Sequence, residues 1–382
     1  MPDHDVAIVG AGPVGLLAAC LLAQAEIDVA VYERRVDDDD RSKAIGIHPP
    51  GFAALDAVGV GDEVEDEALA LDGGDVLWDG RVLASLSFSA QQRVLVLPQR
   101  RTHALLMQRL RQLPSARLLT GHEVRHVRNE EGMVHLELDT AGAPPRHATA
   151  FFVVAADGVR SGIRRRLGIG WRRRYGNGSY AMVDIAHERD DARVQLHCES
   201  AGLVESFPLP HGQRRWVAAE TQGALGEADA FVDAIRERTG RQLELPAGLS
   251  PTVFRAQQHH AARLSAGRVV LLGDAAHEVS PIGGQGMNLG WAAALELAAA
   301  LERSLTGARP EFREYERRVQ HAVARAQRRS AFYMTVGHAT KGPALAVRNG
   351  AIRLLGTAPL RRGTTNMITM QGGAAPFSVR RR

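Results

Sequence analysis

Cysteine, aromatic side chains and long apolar runs are all scarce in this chain of 382 residues. The two cysteines, Cys20 and Cys198, cannot build a disulfide framework, so we expect a reduced, cytoplasmic setting. The longest apolar runs are short or broken by polar residues, which predicts no membrane span. The chain opens with Met-Pro-Asp-His-Asp and passes directly into a strand pattern, so no secretory signal is expected.

A large excess of charge is absent as well. The 47 basic and 43 acidic residues give a formal net charge of +4, which is too small to favour a nucleic-acid partner. The most basic segment is "RRRLGIGWRRR", Arg164–Arg174. It fits either a solvated loop with helix-end charges or a site for an anionic cofactor or substrate.

The motifs of several other enzyme classes are missing too. The sequence has no GxSxG elbow, no CxxC pair and no HExxH, so no side-chain nucleophile is predicted. His259 and His260 have no acid or cysteine at metal-ligand spacing, and no metal site is expected.

What is present begins with "DVAIVGAGPVGLLAACLLAQAEIDVAVYERR", Asp5–Arg35. Asp5–Gly10 is a short Val- and Ile-rich run typical of a buried strand, and Gly15–Ala25 is an apolar helix pattern. Asp28–Glu33 has the pattern of a second strand. The segment therefore predicts a βαβ unit in a parallel sheet.

The turn of this unit carries a glycine fingerprint. Gly10 permits a tight turn, Gly12 lets the backbone approach a pyrophosphate, and Gly15 lets the helix pack on the strand. Pro13 falls in the first helical turn, where its missing N–H costs nothing. Glu33 closes the second strand, where an acid accepts hydrogen bonds from ribose hydroxyls and disfavours a 2′-phosphate. The unit predicts a site for FAD or NAD and not for NADP.

Further along, the pattern of polar and apolar residues predicts two kinds of sheet. Residues 75–86, 117–139 and 181–220 alternate polar and apolar positions, which is typical of antiparallel sheet with one wet face. Buried parallel strands return at Phe151–Ala155 and Arg268–Leu272. The predicted fold class is α/β: a Rossmann-like dinucleotide-binding domain with an inserted, mainly antiparallel β-sheet substrate domain and C-terminal helices. The expected divisions are 1–72, 98–170 and 263–330 for the first domain, 73–97 and 171–262 for the second, and 331–382 for a C-terminal helical segment and tail.

Two later motifs accompany the returning strands. "FFVVAADGVRSGIRRRLGI" spans Phe151–Ile169, and "GRVVLLGDAAHEVSPIGGQGMNLGWAAALELAAAL" spans Gly267–Leu301. Each is a buried strand, then an Asp-Gly or Gly-Asp pair, then a helix start. With these motifs in this order, Asp5 to Arg329 resembles the FAD-dependent aromatic hydroxylases, the single-component flavoprotein monooxygenases related to p-hydroxybenzoate hydroxylase. It also resembles the shorter polyketide and antibiotic hydroxylases of that group.

The resemblance implies which residues hold a resident FAD. Lys43 stands where the family often has Arg, and Asp157 could instead serve only as a helix N-cap. Pro281, Gly283 and Gly284 would run along the flavin ring, with no side-chain catalyst assigned. The implied cofactor-binding set is Gly10, Gly12, Pro13, Val14, Gly15, Glu33, Arg34, Arg41, Lys43, Ala44, Gln99, Val124, Asp157, Gly158, Gly273, Asp274, Pro281, Gly284, Gln285, Gly286, Met287 and Asn288.

The resemblance also implies the chemistry. NAD(P)H would reduce the flavin, O₂ would add at its C4a carbon, and the hydroperoxide would deliver one oxygen atom to an electron-rich aromatic or polycyclic phenolic substrate. No second Rossmann fingerprint exists in the chain, so NAD(P)H is expected to bind transiently, with arginines of Arg160–Arg174 as candidates for its phosphates. Phe207, Trp216 and Glu220 are the candidate substrate residues.

The sequence leaves other readings open. A flavin-dependent reductase of a polyprenyl or quinone-like lipid shares the nucleotide motifs, and a non-catalytic FAD- or drug-binding protein is a second alternative. The identity of the substrate, the NADH or NADPH preference and the oligomeric state do not follow from the residues, nor does the choice of hydroxylation over epoxidation or a Baeyer–Villiger outcome.

Overall fold

The computed structural model describes residues 1–37, 44–130, 132–140, 142, 144–187, 191–221, 223–307 and 310–371. Its helices are α1 (Pro13–Gln24), α2 (Pro49–Ala57), α3 (Gly61–Glu67), α4 (Gln99–Arg111), α5 (Gly162–Arg166), α6 (Ala228–Thr239), α7 (Gly286–Thr306), α8 (Arg313–Gly337), α9 (Pro343–Leu355) and α10 (Ala358–Ile368). Within these ranges no helix is both long and apolar enough to cross a membrane.

The strands are short and numerous. They are β1 (His4–Val9), β2 (Val29–Glu33), β3 (Gly46–Ile47), β4 (Leu69–Leu71), β5 (Gly73–Trp78), β6 (Arg81–Ser87), β7 (Val94–Val96), β8 (Ala116–Thr120), β9 (His122–Glu130), β10 (Met133–Thr140), β11 (Arg146–Ala155), β12 (Trp171–Arg173), β13 (Gly178–Ala186), β14 (Arg193–Glu199), β15 (Gly202–Leu209), β16 (Gln213–Glu220), β17 (Thr252–Ala256), β18 (His259–Ala261), β19 (Ser265–Ala266), β20 (Val269–Leu271) and β21 (His277–Glu278).

The first sheet is the dinucleotide-binding one. Its central strands β20, β11, β1, β2 and β8 pair in parallel, in that order. In β20, β1, β2 and the second half of β11 nearly every side chain is buried and most are Val, Ile, Ala, Leu or Phe, whereas β8 is partly exposed. The predicted βαβ unit is therefore confirmed, and β9 and β10 add an antiparallel extension to β11.

The second sheet is the inserted one and has the strand order β17-β13-β16-β15-β14-β5-β6. Its neighbours are antiparallel except for the pair β14 and β5. One face packs on α6 through a cluster that includes Trp216, Phe231 and Ile235. On the other face, Tyr180 and Val217 pack with Ile282 and with Met334 of α8. The predicted fold class, α/β with an inserted, mainly antiparallel sheet, is confirmed.

The C-terminal helices close the space between the two sheets. Helix α8 runs without a break through residue 330, where the sequence suggested a boundary. Helices α9 and α10 then pack on β6, at the edge of the inserted sheet. The C-terminal segment thus becomes a wall of the central cavity.

Candidate functional site

A single continuous cavity of about 1850 Å³ runs from the βαβ turn to the inserted sheet. Binding sites for one small molecule occupy roughly 300–1,000 Å³. The cavity therefore has room for a dinucleotide and a second ligand together.

The glycine turn forms one end of this cavity. Gly10 has φ +107°, and a Cβ there would overlap the carbonyl oxygen of Ala156. Gly15 has no space for a side chain either, because a Cβ would overlap the carbonyl oxygen of Gly10. At Gly12, by contrast, a Cβ would meet no atom within 4 Å and would project into open space. Gly12 therefore keeps a space clear for a ligand.

The N-terminus of α1 faces this space. Its cap residue is Gly12, Pro13 is its first residue, and no side chain of the described ranges caps it. The N–H groups of the first turn have no partner within the helix, and the helix dipole adds partial positive charge. Pro13, Val14 and Gly15 line the cavity beside Gly12. This end of the cavity fits a pyrophosphate.

Glu33 lies at the end of β2, where a ribose would lie next to the pyrophosphate. Its Oε2 accepts a hydrogen bond from the backbone N–H of Ala11 at 2.8 Å, so the carboxylate is held at the turn. The neighbouring cavity wall comprises Arg34, Ala44, Gln99 and Val124. Arg41 and Lys43, which the resemblance also assigns to FAD, lie outside the described residues.

The Asp-Gly pair forms a second wall. Asp157 Oδ2 accepts a hydrogen bond from the N–H of Ile163 at 3.2 Å, while Ser161 caps α5. Asp157 Oδ1 is buried and has no partner among the described residues, although Asp157 and Gly158 both line the cavity. Asp157 thus contributes to the start of the helix and still has one oxygen that can bind a ligand.

The Gly-Asp pair and the loop after it form the third wall. Gly273 and Asp274 line the cavity where β20 ends, and Asp274 is exposed to it. Residues Pro281–Gly284 make a turn in which the N–H of Gly284 donates to the carbonyl of Pro281 at 2.9 Å. Gly283 has φ +92° at the third position, which only glycine adopts readily.

The loop leads into α7, whose first residues also face the cavity. Gly286 and Met287 line it, and no described side chain caps the helix at Gln285. Gln285 is fully buried and the polar atoms of its side chain have no partner among the described residues. Asn288 is buried too, but its side chain holds neighbouring backbone in place. Asn288 therefore supports the loop from behind the cavity wall, and neither Gln285 nor Asn288 lines the cavity.

Of the assigned cofactor residues that the structure describes, all except Gln285 and Asn288 line this one space. The donors available there are backbone N–H groups at two helix starts, with acidic side chains at Glu33, Asp157 and Asp274. Such a set fits FAD: N–H groups for the pyrophosphate and flavin ring, and carboxylates for the ribose and ribityl hydroxyls. No group of side chains suited to a metal ion occurs among the described residues.

The inserted sheet lines the substrate end of the cavity. Of the three candidate substrate residues, one lies there. Phe207 lines the cavity. Trp216 instead projects from the other face of the sheet into the core beneath α6. Glu220 accepts hydrogen bonds from the N–H groups of Gly223 and Leu225, both at 2.7 Å, and stabilises a loop. The expectation from sequence that Trp216 and Glu220 contact the substrate is therefore corrected, because neither side chain lines the cavity.

Other cavity residues were not anticipated. His48 lies close to the Pro281–Gly284 turn, which we call the flavin loop, since a Cβ at Gly284 would be 3.4 Å from His48 Nε2. Burial lowers the pKa of His48 to about 4. Glu205 and Tyr333 add polar groups, and Ile352 contributes an apolar surface from α9. Strand alternation could have found Glu205, because it lies two residues before Phe207 on the same face.

The comparisons with known proteins agree with this geometry. The family model of the FAD binding domain matches residues 3–330. A para-nitrophenol 4-monooxygenase from Pseudomonas sp. (strain WBC-3) is 29% identical over 328 residues, covering 78% of this chain and 77% of the relative. A 12-dehydrotetracycline 5-monooxygenase/anhydrotetracycline 6-monooxygenase from Streptomyces rimosus is 31% identical over 330 residues, covering 80% of this chain and 64% of the relative.

A solved structure shows the same fold over almost the full length. The p-nitrophenol 4-monooxygenase of Pseudomonas putida DLL-E4 superposes with a TM-score of 0.85 at 23% identity, covering 97% of this chain and 98% of the other. The expected family and cofactor are confirmed. The chain belongs to the FAD-dependent aromatic hydroxylases, and it is a monooxygenase whose cofactor is FAD.

Proposed function

We propose that this protein uses NAD(P)H and O₂ to insert one oxygen atom into an aromatic or polycyclic phenolic small molecule. The observation that carries the proposal is the continuous cavity, in which the dinucleotide cradle opens directly onto an apolar wall of the inserted sheet. The relatives named for para-nitrophenol and for anhydrotetracycline support an aromatic substrate.

The chain's residues would position the reactants and exclude water. FAD, once bound and reduced by NAD(P)H, supplies the activation of O₂ at its C4a carbon. The N–H groups at the start of α7 and the N–H of Gly283 would stabilise negative charge at the polar edge of the flavin. The apolar wall, with Val76, Leu196 and Val217, would hold a flat ligand and keep water from the reacting atoms.

A site for the nicotinamide nucleotide is part of the proposal. Arg160, Arg165 and Arg166 line the same cavity beside Asp157 and Gly158. These guanidinium groups can bind phosphates, and the open cavity suits a nucleotide that binds transiently. Arg164 has a different role: it is buried over the ring of Trp171 and donates to the carbonyl of Ala275 at 2.9 Å.

The experiment is oxygen labelling. Purified protein with FAD, NADH or NADPH and ¹⁸O₂ is given a panel of phenols, naphthoquinols and tetracyclic polyketides, and products are analysed by mass spectrometry. We expect one ¹⁸O atom per product, with NAD(P)H and O₂ consumed together. Products that lack ¹⁸O and carry a newly saturated carbon–carbon bond would establish the reductase alternative. Tight ligand binding with no turnover across the panel would favour the non-catalytic one.

A further inference from the structure

One acidic side chain lies in the apolar wall of the substrate end. Glu205 alternates with Leu203 and Phe207 along β15, and all three line the cavity. The residues directly opposite Glu205 on the two neighbouring strands are Leu196 and Val217, which are apolar. The side chains directly opposite and alongside the carboxyl group on the sheet are therefore apolar, while Arg215, diagonally across, is paired with Asp184.

Glu205 differs from the other charged residues of this wall in having no partner. Arg215 is held by two hydrogen bonds to Asp184, at 2.7 and 2.8 Å. Asp75 is held by Arg193 in the same bidentate way, at 2.9 and 2.7 Å. Glu205 is only 6% exposed, and no described residue forms a hydrogen bond or ion pair with it.

A buried carboxyl without a partner has a physical cost. Burial raises the pKa of Glu205 to about 7, because the charged form is poorly solvated in the cavity wall. Burial is the main cause that raises the pKa values of Tyr180 and Cys198 nearby, and the charge of Glu205 raises both further. A ligand that brings a hydrogen-bond donor to Glu205 satisfies the carboxyl, whereas a ligand that brings a negative charge is repelled.

We propose that Glu205 is a specificity-determining residue that accepts a hydrogen bond from a hydroxyl group of the substrate. The substrate is then an uncharged, hydroxyl-bearing aromatic molecule, and aromatic carboxylates are rejected. This inference rests on the proposed function, because it takes the apolar end of the cavity to be the substrate site.

The test uses three probes of nearly equal size: 2-naphthol, 2-methoxynaphthalene and 2-naphthoate. Their affinities for the FAD-bound protein are measured by isothermal titration calorimetry at pH 7.5. A hydrogen bond to a charged acceptor should make 2-naphthol bind roughly 10- to 100-fold more tightly than 2-methoxynaphthalene, with 2-naphthoate weakest. In Glu205→Leu the ratio of 2-naphthol to 2-methoxynaphthalene should fall to about one, and in Glu205→Gln 2-naphthoate binding should improve.

Glu199→Gln is the matched control. Glu199 is a nearby glutamate, also largely buried, but it accepts the N–H of Asp79 at 3.1 Å and does not line the cavity. This variant should keep the wild-type ligand ratios. An unchanged ratio in Glu205→Leu, or a wild-type protein that binds 2-naphthoate as tightly as 2-naphthol, overturns the proposal. The wild-type comparison alone decides the matter if the variants do not fold.

The two proposals fail separately. If binding depends on the ligand hydroxyl and on Glu205 but no product contains ¹⁸O, the proposed function is refuted, and Glu205 is still a residue that recognises the ligand. Oxygen insertion with ligand ratios that ignore Glu205 would sink this inference alone.

Discussion

Asn288 and His48 are joined across 240 residues of sequence: the side-chain Oδ1 of Asn288 accepts a hydrogen bond from the backbone N–H of His48 at 2.8 Å. Nδ2 of the same side chain donates to the carbonyls of Gly46 and Gly284, at 2.9 and 3.0 Å. One buried amide therefore fixes the position of the flavin loop relative to the start of α2. We therefore expect this connection to keep the loop's backbone facing the cavity.

Asn288→Ala should loosen the loop and weaken FAD binding. The substitution leaves one buried N–H and two carbonyls without their partner, which costs about 1–3 kcal/mol for each group that water cannot reach. We expect the FAD dissociation constant to rise at least tenfold, measured by flavin fluorescence. Asn129→Ala is the control, since Asn129 also bridges backbone groups, at Ala266 and Arg268, but away from the cavity. If both variants retain FAD equally well, Asn288 does not position the loop.

Gly12→Ala should weaken FAD binding without destabilising the fold, whereas Gly10→Ala should destabilise the fold. Gly12 has φ −68° and free space at its Cβ, so alanine there should leave the apo protein as stable as the wild type. The new methyl group occupies the space kept for the pyrophosphate, and FAD affinity should fall by at least tenfold. Gly10→Ala forces a side chain onto a backbone with φ +107° and into Ala156, so the free energy of unfolding should fall. Urea unfolding of both apo variants, with FAD titrations of each, checks the pair. Tight FAD binding by Gly12→Ala would contradict the placement of the pyrophosphate.

Asp274→Ala should weaken FAD binding without unfolding the protein. Asp274 is exposed to the cavity at the end of β20, and it belongs to the cofactor-binding set that the resemblance implies. Loss of a hydrogen bond to a charged acceptor predicts a cost of about 1–3 kcal/mol in FAD binding. Asp62→Ala, at an exposed position of α3 outside the cavity, is the control. Equal FAD dissociation constants for the two variants would remove Asp274 from the cofactor site.

The glycine fingerprint could be predicted from sequence because it is local. Gly10, Gly12 and Gly15 lie within six residues, so their spacing is visible in the sequence, although the atom that excludes a side chain at Gly10 belongs to the distant Ala156. The same holds for Gly283, whose φ is set by the Pro281–Gly284 turn. Motifs of this kind identify a cofactor even when identity to known proteins is low.

The substrate wall could not be predicted in the same way, because it depends on the phase of strand alternation. Phe207 and Trp216 lie in neighbouring strands, and the register pairs Trp216 with Ser206 rather than with Phe207. A change of one residue in that register would exchange the cavity face with the core face. The connection of His48 to Asn288, and the contribution of Ile352 from α9, likewise depend on tertiary packing.

The pH dependence of stability should be governed in part by buried neutral histidines, of which His277 is the clearest. His277 is 1% exposed, and neither ring nitrogen has a partner among the described residues. Burial lowers its pKa to about 4, so the folded protein binds fewer protons than the unfolded chain between that pH and the ordinary pKa of 6.5. The contribution of His277 to the free energy of unfolding is therefore fully present above pH 6.5. It is lost as the pH falls toward 4, and the loss amounts to about 3 kcal/mol.

His277→Leu should flatten this pH dependence, because leucine fills much of the same space and cannot take up a proton. We expect the free energy of urea unfolding to be within about 1.5 kcal/mol of wild type at pH 7.5 and clearly higher than wild type at pH 4.5. Burial also lowers the pKa values of His48 and His197 to about 4, so the variant should keep some acid sensitivity. His338→Leu, at an exposed position, should follow the wild-type curve. Parallel curves for His277→Leu and wild type from pH 7.5 to 4.5 would mean that His277 takes up its proton at the same pH in the folded protein as in the unfolded chain, and that its burial does not oppose charge.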